Sequence, residues 1–571
     1  MKSPGMMIVI QNGTLHPTKF CYSPLHLAEA ESSEKTCQFA PNTASEPCWK
    51  LAKRWLSSCR TDHTRCTKYQ SATPFHPSRL IEIAPVASAS DDELHLRIAG
   101  EHSPEVPYMT LSHCWGKSEF LKLTKTTSQR LRDGFSAADT LSKTFQDAIT
   151  ICREFRVRYL WIDSLCIFQD SPEDWRCEAA QMDQVYENSL CNIAATGASN
   201  AEEGCFKDRD ESLLRRCIIK SEWNNQKNGT WEIIADDFWD ARINRAPLNK
   251  RGWVMQERWL SPRVLHYGRD QILWECNELE ACETYPGGLP MSLRIAGSGF
   301  KLDPDLKREF WQQNGSTYTE ADPDFLHRST WSSIVSRYSV AALTKGEDKL
   351  VAISGIAKRM QSSLDDEYLA GLWRKALPSQ LLWRVLDHDP AYPLPPTRPR
   401  PYRAPSWSWA SVDGAVSGSW GGYDGIIITI LDAVVTPVGT DSTGQIKDGF
   451  IRLKGRIFSA ELVRRSEPGS RYITVRVGSE VFETFYYPDT KPEALGGPSI
   501  YLLPIRSYKY NDEPWLSCLV LQPAPQGNGT YERIGRCNFS DEKSCSALQQ
   551  SEAFTDKSLY ENADGETIVL I

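Results

Sequence analysis

Our fold prediction for this chain begins from one run of sequence, Tyr108-Met109-Thr110-Leu111-Ser112-His113-Cys114-Trp115-Gly116. Residues 108–112 predict a short buried strand, which ends at the histidine, cysteine, tryptophan and glycine after it. An apolar stripe with the i, i+3, i+4, i+7 spacing of a helix follows, and it is formed by Phe145, Ala148, Ile149 and Cys152. Ser142 is a suitable N-cap for that helix.

Further along, residues 159–162 predict a second buried strand, which ends at Asp163 and Ser164. A second helix is predicted after Ser171, because serine is a suitable cap and Pro172 suits the first helical position. Residues 191–195 predict a third strand. The order is strand-helix-strand-helix-strand, and right-handed crossovers make such strands parallel.

The carboxyl ends of parallel strands lie at one edge of a sheet, which is where open α/β sheets bind ligands. We therefore expect a site lined by the residues that end the first two strands. These residues are Ser112, His113, Trp115, Asp163, Ser164 and Cys166.

The composition is that of an ordinary globular chain. It has 571 residues, of which 40% are apolar and 24% charged, and this excludes a collagen-like or wholly disordered protein. The net charge of −8 gives no general basic field, so we expect no nucleic-acid partner. The longest apolar runs, 160–168 and 426–435, are too short and too polar for a membrane span, so none is expected.

Cysteine usage points to a reducing compartment. The count of 17 is odd, so the thiols cannot all pair, and the N-terminal apolar run is too short for a signal-peptide core. We expect a soluble protein with mostly free thiols in a cytosolic or nuclear compartment, with the cytoplasm as the predicted location.

Four parts are predicted along the chain. Residues 1–75 form a weakly patterned N-terminal extension with a short helix, and residues 76–300 hold the α/β domain, whose core is 108–196. Residues 301–390 have a helical pattern. Residues 391–571 contain short apolar runs bounded by turn residues, which predicts a β-rich C-terminal region.

Two acidic residues are candidates for chemistry. Glu178 is predicted to face inward, because Trp175 lies three residues before it and Met182 four after it. A buried carboxylate is costly unless it is paired or functional, and spacing alone favours pairing with a neighbouring arginine. Asp163 either contacts a ligand at the end of its strand or caps the following turn.

A cysteine nucleophile is a further alternative. Adjacent residues on a strand point to opposite faces, so His113 cannot readily serve Cys114, and Cys166 would have to be its partner. Small buried thiols are common, and this structural interpretation is favoured.

Cys59, His63 and Cys66 have the i, i+4, i+7 spacing of one helix face, which resembles zinc-ligand spacing. Cys37 or Cys48 could supply a fourth ligand. The paired Cys-x-x-Cys signature is missing, so structural thiols are favoured and the sequence alone assigns no metal site.

Residues 251–258 begin a predicted helix that carries Glu257 and Arg258. These two residues either bind substrate or form an ion pair that ties the segment to the first sheet, and the structural role is favoured. Residues 264–267 and 271–276 then predict a β-hairpin.

The sequence contains no Gly-x-Gly-x-x-Gly after a strand, no Walker A loop, no His-Glu-x-x-His and no Gly-x-Ser-x-Gly. A standard nucleotide-binding fold, a zinc protease and an α/β-hydrolase are therefore disfavoured.

Three separate blocks, 108–116, 160–170 and 251–258, resemble the fungal heterokaryon-incompatibility (HET) domain in the right order. The second block is followed at the family spacing by Trp175, Glu178, Met182 and Tyr186. His113 stands where tyrosine is common in the family, which leaves the chemistry at this edge of the sheet open.

The resemblance covers roughly the whole chain past residue 45. Trp55-Leu56 with Cys59, His63 and Cys66 resembles the segment that precedes many such domains. Residues 404–411 resemble the downstream block of the family and residues 531–535 its C-terminal block.

The resemblance to this family implies a role in non-self recognition and programmed cell death when unlike hyphae fuse. The HET domain is distantly similar to the TIR domain, a flavodoxin-like α/β unit whose enzymatic members cleave NAD at the nicotinamide–ribose bond. One glutamate on a helix after a strand is catalytic in those members, and Glu178 fits that position best. The resemblance thus implies a TIR/flavodoxin-like parallel sheet with helical insertions and Glu178 as a catalytic residue. Asp163, at the end of its strand, is the second catalytic candidate.

The implied ligand is a dinucleotide, with NAD as substrate and no separate cofactor. Trp115 or Trp175 could stack on a flat ring, and Ser112 or Asp163 could hold hydroxyl groups. The predicted substrate-binding set is Ser112, His113, Trp115, Ser164, Cys166, Trp175, Glu257 and Arg258.

Two other functions stay open at this point. In one, the protein is a non-catalytic switch whose α/β unit oligomerises or docks a protein partner, with the C-terminal region holding it inactive. In the other, it is an enzyme of fungal specialised metabolism with a closed pocket lined by aromatic residues, which the 19 tryptophans would suit.

Overall fold

The structure is a computed structural model. It describes residues 25–29, 39–68, 75–84, 93–101, 106–136, 141–221, 229–290, 293, 301, 325–386, 396–418, 424–465, 472–490, 499–510, 512–527, 529–550, 559 and 567–571. Cys37, weighed above as a metal ligand, lies outside these residues. The chain divides into two compact units, Met1–Gly315 and Ser316–Ile571.

The first unit is a mixed α/β structure. Its described strands are β1 Leu25–Glu29, β2 Arg79–Ile83, β3 Glu93–Ile98, β4 Tyr108–Ser112, β5 Phe135–Ser136, β6 Tyr159–Trp161, β7 Cys191–Ala194, β8 Cys217–Ser221, β9 Gly229–Ala235, β10 Arg263–Tyr267, β11 Ile272–Cys276 and β12 Glu280–Cys282. Its described α-helices are α1 Glu46–Thr61, α2 Thr64–Lys68, α3 Ser128–Asp133, α4 Lys143–Glu154, α5 Asp163–Cys166, α6 Pro172–Ala179, α7 Met182–Glu187 and α8 Val254–Leu260. Short 3-10 turns span Glu211–Leu214 and Leu248–Lys250, and a π-helical turn spans Asp240–Asn244.

The main sheet of this unit has parallel strands at its centre. Among the described residues its order is β12-β11-β10-β7-β4-β6-β2-β3-β5. β4 pairs in parallel with both β6 and β7, and β10 pairs in parallel with β7, which confirms that the three predicted strands are parallel. The flanking strands β2, β3, β5, β11 and β12 are antiparallel, so the sheet is mixed, not the wholly parallel sheet that the sequence predicts.

Local sequence explains the helices between these strands. Helix α4 begins directly after Ser142, the predicted N-cap residue, whose own backbone is extended. Helix α6 begins after Ser171, whose Oγ accepts a hydrogen bond from the Asp174 N–H (3.3 Å). The predicted single helix beyond Ser171 is two helices, because the chain turns at residues 180–181 before α7 begins.

The hairpin predicted after residue 263 is confirmed. Strands β10 and β11 pair in antiparallel register, with Arg263 opposite Cys276 and Tyr267 opposite Ile272. A smaller sheet of this unit has the order β1-β9-β8.

The second unit is rich in strands, which confirms the β-rich character predicted for the C-terminal region. Its described strands are β13 Tyr368–Leu369, β14 Leu372–Trp373, β15 Arg384–Val385, β16 Val416–Ser417, β17 Thr429–Pro437, β18 Ile446–Lys454, β19 Phe458–Arg465, β20 Tyr472–Val477, β21 Glu480–Pro488, β22 Ser499–Tyr510, β23 Glu513–Pro523, β24 Thr530–Phe539 and β25 Thr567–Leu570. Its described helices are α9 Phe325–Ser339, α10 Val351–Leu364, α11 Leu377–Gln380 and α12 Glu542–Gln550, with 3-10 turns at Gly346–Lys349, Arg374–Ala376 and Trp409–Ser411.

The large sheet of the second unit closes on itself. Its order over the described residues is β17-β18-β25-β24-β21-β20-β19-β22-β23, and β24 also pairs with β23. That extra pairing joins the two ends of the run from β24 to β23. Side chains such as Val475, Leu502 and Phe539 fill the core of the closed part and are fully buried.

Two blocks singled out in the sequence meet in this unit at a buried arginine. Arg533 donates to both carboxylate oxygens of Asp489 (3.0 Å each), and its guanidinium lies 3.5 Å from the centre of the Trp383 ring. The backbone N–H of Arg533 donates to Ser406 Oγ (2.8 Å). The 404–411 and 531–535 blocks are therefore joined by a direct hydrogen bond.

Among the described residues, no helix combines the length and apolar character that crossing a membrane requires.

Helix α8 is fastened to the first sheet by a buried ion pair. Arg258 donates through Nε and Nη2 to the two carboxylate oxygens of Glu275 (2.7 and 2.8 Å), and both side chains are almost completely buried. His266 lies against the same carboxylate (3.3 Å). This contact accords with the structural alternative for Arg258, since its guanidinium binds a strand of the sheet and not Glu257.

We expect Arg258→Met to destabilise the protein by about 3–5 kcal/mol, because Glu275 would be left buried without its arginine. The double variant Arg258→Met/Glu275→Leu should recover most of that loss, since it removes both charges. Urea unfolding followed by circular dichroism measures both effects. Arg176→Met is the matched control, because Arg176 pairs with Glu173 at the surface and its loss should change stability by less than about 0.5 kcal/mol. A double variant no more stable than the single one would show that the pair is not what holds α8.

Candidate functional site

Polar residues from three segments meet at the carboxyl edge of the parallel strands. Ser112 ends β4, Asp163 follows β6, and Glu257 lies on α8, which packs against α7. We call this group the carboxylate rim; it consists of Ser112, His113, Trp115, Asp163, Arg251 and Glu257.

The turn after β4 requires glycine. Gly116 has φ +70°, and a Cβ at this position would lie 2.5 Å from the Cβ of Asn200. The chain can therefore turn sharply after Trp115. This turn keeps the indole at the edge of the sheet beside Asp163.

Glu257 is the most deeply buried carboxylate of the rim. It is 4% exposed, and Ser112 Oγ donates to its Oε2 (2.5 Å). The Tyr186 hydroxyl also hydrogen-bonds this carboxylate. Burial raises the pKa of Glu257 to about 7, although Arg251 and the two hydroxyl groups oppose that shift.

A polar network supports Ser112 from inside the sheet. Asn192 on β7 donates through Nδ2 to Ser112 Oγ (2.9 Å) and accepts at Oδ1 from Thr110 Oγ1 (3.1 Å). All three side chains are buried. The network fixes the orientation of the serine hydroxyl that faces Glu257.

Asp163 is the carboxylate of the rim that reaches solvent. Its side chain is 22% exposed. The Trp115 indole N–H donates to Oδ2 (3.1 Å), and the Ser164 backbone N–H donates to Oδ1 (2.7 Å). Both alternatives weighed for Asp163 are thus compatible with its position, because it caps a turn through one oxygen and faces outward beside an indole with the other.

His113 is buried without a hydrogen bond. Neither ring nitrogen has a hydrogen-bond partner among the described residues, although Nδ1 lies 3.9 Å from Asp163 Oδ1. Burial lowers the pKa of His113 to about 4, so the imidazole is neutral at pH 7. Its ring packs edge-on against Phe145 at 4.9 Å.

Aromatic and basic side chains continue the rim outward. Phe120 packs edge-on against Trp115 (5.6 Å between ring centres), and Lys122 Nζ lies 5.5 Å from the centre of the indole. Arg251 donates to the carbonyl oxygen of His113. A partly exposed indole, a carboxylate and two cations therefore lie close together.

Glu178 lies at the same edge but in a different contact group. It is buried, which confirms the inward orientation predicted from spacing. Ser78 Oγ donates to its carboxylate (2.5 Å), and Arg79 Nη1 lies 3.7 Å away. Burial raises its pKa despite these two partners. Arg79 binds Asp174 more closely and also donates to the Cys166 carbonyl.

No described hydrogen bond or ion pair joins Glu178 to Asp163, Ser112 or Trp115. Strand β2, which follows Ser78, is separated from β4 by β6. The structure therefore brings Ser112, His113, Trp115, Asp163 and Glu257 together, whereas Glu178 contacts Ser78 and Arg79 at the start of β2, the strand beside β6.

The remaining predicted residues are less accessible. Cys166 is fully buried, and burial raises the pKa of its thiol to about 12, as for a structural thiol. Ser164 is also fully buried. Trp175 packs edge-on against Trp253 (6.2 Å between ring centres), beside the 251–258 block.

Sequence reasoning did not select Asn192, Tyr186 and Arg251 for the site. Asn192 carried a usable signal, because it is a polar residue inside a strand that is otherwise apolar. Tyr186 and Arg251 lay within matching blocks, but nothing local indicated that they approach Glu257.

The fold and the site define an α/β domain with acidic side chains at the carboxyl edge of its parallel strands. Residues 108–257 match the family model described as heterokaryon incompatibility protein (HET). Over these residues the chain is therefore similar to HET domains. Searches of curated proteins and of solved structures found no match.

We expect Glu257→Gln to change the pH dependence of stability. The unfolded glutamate has a pKa of about 4.3, so between that value and 7 the folded state binds more protons and loses stability as the pH rises. The unfolding free energy of the glutamine variant, relative to that of the native protein, should therefore increase by on the order of 2 kcal/mol between pH 5 and pH 8. Denaturant unfolding at both pH values measures this difference.

Glu173→Gln is the matched control, because Glu173 is exposed on α6 and its effect on stability should not depend on pH in this range. For both variants, the difference in unfolding free energy from the native protein is compared at pH 5 and pH 8. If this difference is independent of pH for Glu257→Gln as well as for Glu173→Gln, folding does not raise the pKa of Glu257, and its assignment as a buried acid is wrong.

Proposed function

We propose that the HET domain of this chain is a hydrolase that cleaves the nicotinamide–ribose bond of NAD at the carboxylate rim. The resemblance to TIR-like enzymes suggests this bond. The observation that carries the proposal is a solvent-reaching carboxylate, Asp163, held by two N–H donors beside the buried acid Glu257.

The reaction needs a negative charge near the ribose. The bond from C1′ to the nicotinamide nitrogen breaks, and its electron pair leaves with nicotinamide, which becomes neutral. The ribose is left as an oxocarbenium ion, which an adjacent carboxylate stabilises. Water then adds to C1′ and loses a proton, so the products are nicotinamide, ADP-ribose and one proton.

Asp163 is the catalytic residue in this proposal. It is partly exposed, so a ribose can approach it, and its two N–H partners fix the carboxylate in place. Fixed charge contributes more to catalysis than charge that must reorient during the reaction. The indole of Trp115, which donates to Asp163, presents a flat surface for the nicotinamide ring.

Glu257 is a positioning residue, because it is almost fully buried and acts through Ser112. With a pKa of about 7 it is partly ionised at neutral pH, and its charge influences both Asp163 and the serine hydroxyl. Arg251 of the rim and Lys122 beside Trp115 supply positive charge that favours the negatively charged pyrophosphate of a dinucleotide.

Glu178 is the alternative catalytic carboxylate that the family resemblance implies. Its carboxylate already accepts from Ser78, and its side chain is only 7% exposed. These contacts favour Asp163 for the chemical step and a supporting role for Glu178. In the wider role that we propose, depletion of NAD after fusion of unlike hyphae would cause cell death.

We expect the purified full chain to release nicotinamide from NAD, with Asp163→Asn lowering kcat at least about 100-fold because the charge beside the ribose is lost. Glu257→Gln should retain activity but flatten the pH profile of kcat near pH 7. Chromatography of free nicotinamide measures both results, and thermal unfolding checks that each variant is folded.

Glu173→Gln and Glu178→Gln complete the comparison. Glu173 is an exposed carboxylate on the same helix as Glu178, and its variant should keep full activity. Loss of activity in Glu178→Gln with full activity in Asp163→Asn would move the catalytic role to Glu178. A folded full chain that binds NAD but releases no nicotinamide would contradict the hydrolase proposal and favour a non-catalytic switch.

A further inference from the structure

Four metal-ligating side chains converge away from the carboxylate rim. One ligand atom from each of Cys59, His63, Cys66 and Cys276 lies within 4.8 Å of all the others. His63 Nδ1 is 3.4 Å from Cys276 Sγ and 3.8 Å from Cys66 Sγ. In a zinc tetrahedron with bonds of about 2.3 Å to sulfur and 2.0–2.1 Å to nitrogen, neighbouring ligand atoms are about 3.6–3.8 Å apart. The observed group therefore already has nearly the dimensions of a zinc site.

The chain brings these ligands together from two distant segments. Cys59 lies in the last turn of α1, His63 lies in the link to α2, and Cys66 lies within α2. The expectation that these residues share one helix face is wrong, because α1 ends at Thr61. The break in the helix allows the His63 ring to approach the cysteines.

The fourth ligand is Cys276, the last residue of β11. Cys48, weighed above for this role, instead lies against Glu283 and Arg209. Sequence spacing could not identify Cys276, since it lies 213 positions after His63. With it the group becomes a complete set of three cysteines and one histidine.

The surroundings suit thiolate ligands. The three cysteines are buried and form no disulfide. Arg263 Nε donates to Cys59 Sγ (3.2 Å) and its Nη1 to the Leu190 carbonyl (3.2 Å), an outer contact that orients a metal-bound sulfur. Soft sulfur ligands with one imidazole, in a four-coordinate arrangement, select zinc over magnesium or calcium.

We propose that Cys59, His63, Cys66 and Cys276 bind one structural zinc ion that fastens α1 and α2 to β11. On binding, the three thiols release their protons to solvent and the imidazole binds in its neutral form. All four positions are filled by the protein, so no open position remains for a substrate. Cys276 pairs with Arg263 at the start of β10, which places the site at the opposite edge of the sheet from the rim.

The full chain, purified without chelator under reducing conditions, should contain about one zinc per molecule by inductively coupled plasma mass spectrometry. Replacement of zinc by cobalt should give the near-ultraviolet thiolate-to-cobalt charge-transfer absorption and the intense visible bands of a tetrahedral site. A folded chain that stays metal-free after incubation with zinc would overturn the proposal.

Variants distinguish coordination from packing. Cys276→Ser should lower bound zinc at least tenfold, whereas His63→Cys, which keeps four ligands, should retain about one zinc. Cys177→Ser, at an exposed thiol, and Cys152→Ala, at a buried thiol outside the group, should also retain it. If Cys276→Ser fails to fold, the metal content and cobalt spectrum of the native chain and of His63→Cys still decide the question. Full zinc in a folded Cys276→Ser would show that this cysteine is not a ligand.

Discussion

Two adjacent charged residues on α8, Glu257 and Arg258, are both buried, and the arrangement of the first unit depends on how each charge is accommodated. Arg258 binds Glu275 on β11 through two hydrogen bonds, so its charge is paired inside the protein. Among the described residues Glu257 forms no such two-bond ion pair, and burial raises its pKa to about 7 although Arg251 opposes the shift. The same helix is thus held to the sheet by Arg258 and contributes a titratable acid to the carboxylate rim through the residue before it, Glu257.

The local part of this arrangement could be predicted from the sequence. Residues 108–112, 159–161 and 191–194 form strands because each is a short apolar run followed by a turn, and the helical crossovers between them make the strands parallel. The antiparallel strand β2 was not predicted, although it lies beside β6 and carries the arginine near Glu178. Pairing between distant segments has no signature in a single sequence, and it determines which charges meet.

Glu178 illustrates the same limit at one residue. Helical spacing predicts that its side chain is buried, and it is. Spacing cannot show what the buried side chain contacts, and its partners Ser78 and Arg79 come from a segment about a hundred residues earlier. Asp163, by contrast, was identified from the end of its own strand. One of its partners is local, since Ser164 follows it directly, and the other, Trp115, lies three residues after the end of the neighbouring strand β4.

Strand β11 connects the rim to the N-terminal helices through successive residues. Glu275 and Cys276 are adjacent on this strand, so their side chains point to opposite faces of the sheet. Glu275 binds Arg258 of α8 on one face. On the other face lie Cys276 and Trp274, and Trp274 packs against Trp55 of α1 (6.2 Å between ring centres). The strand is thus clamped between α8 and the α1–α2 segment, so whatever holds that segment in place also fixes the strand to which the helix carrying Glu257 is bound.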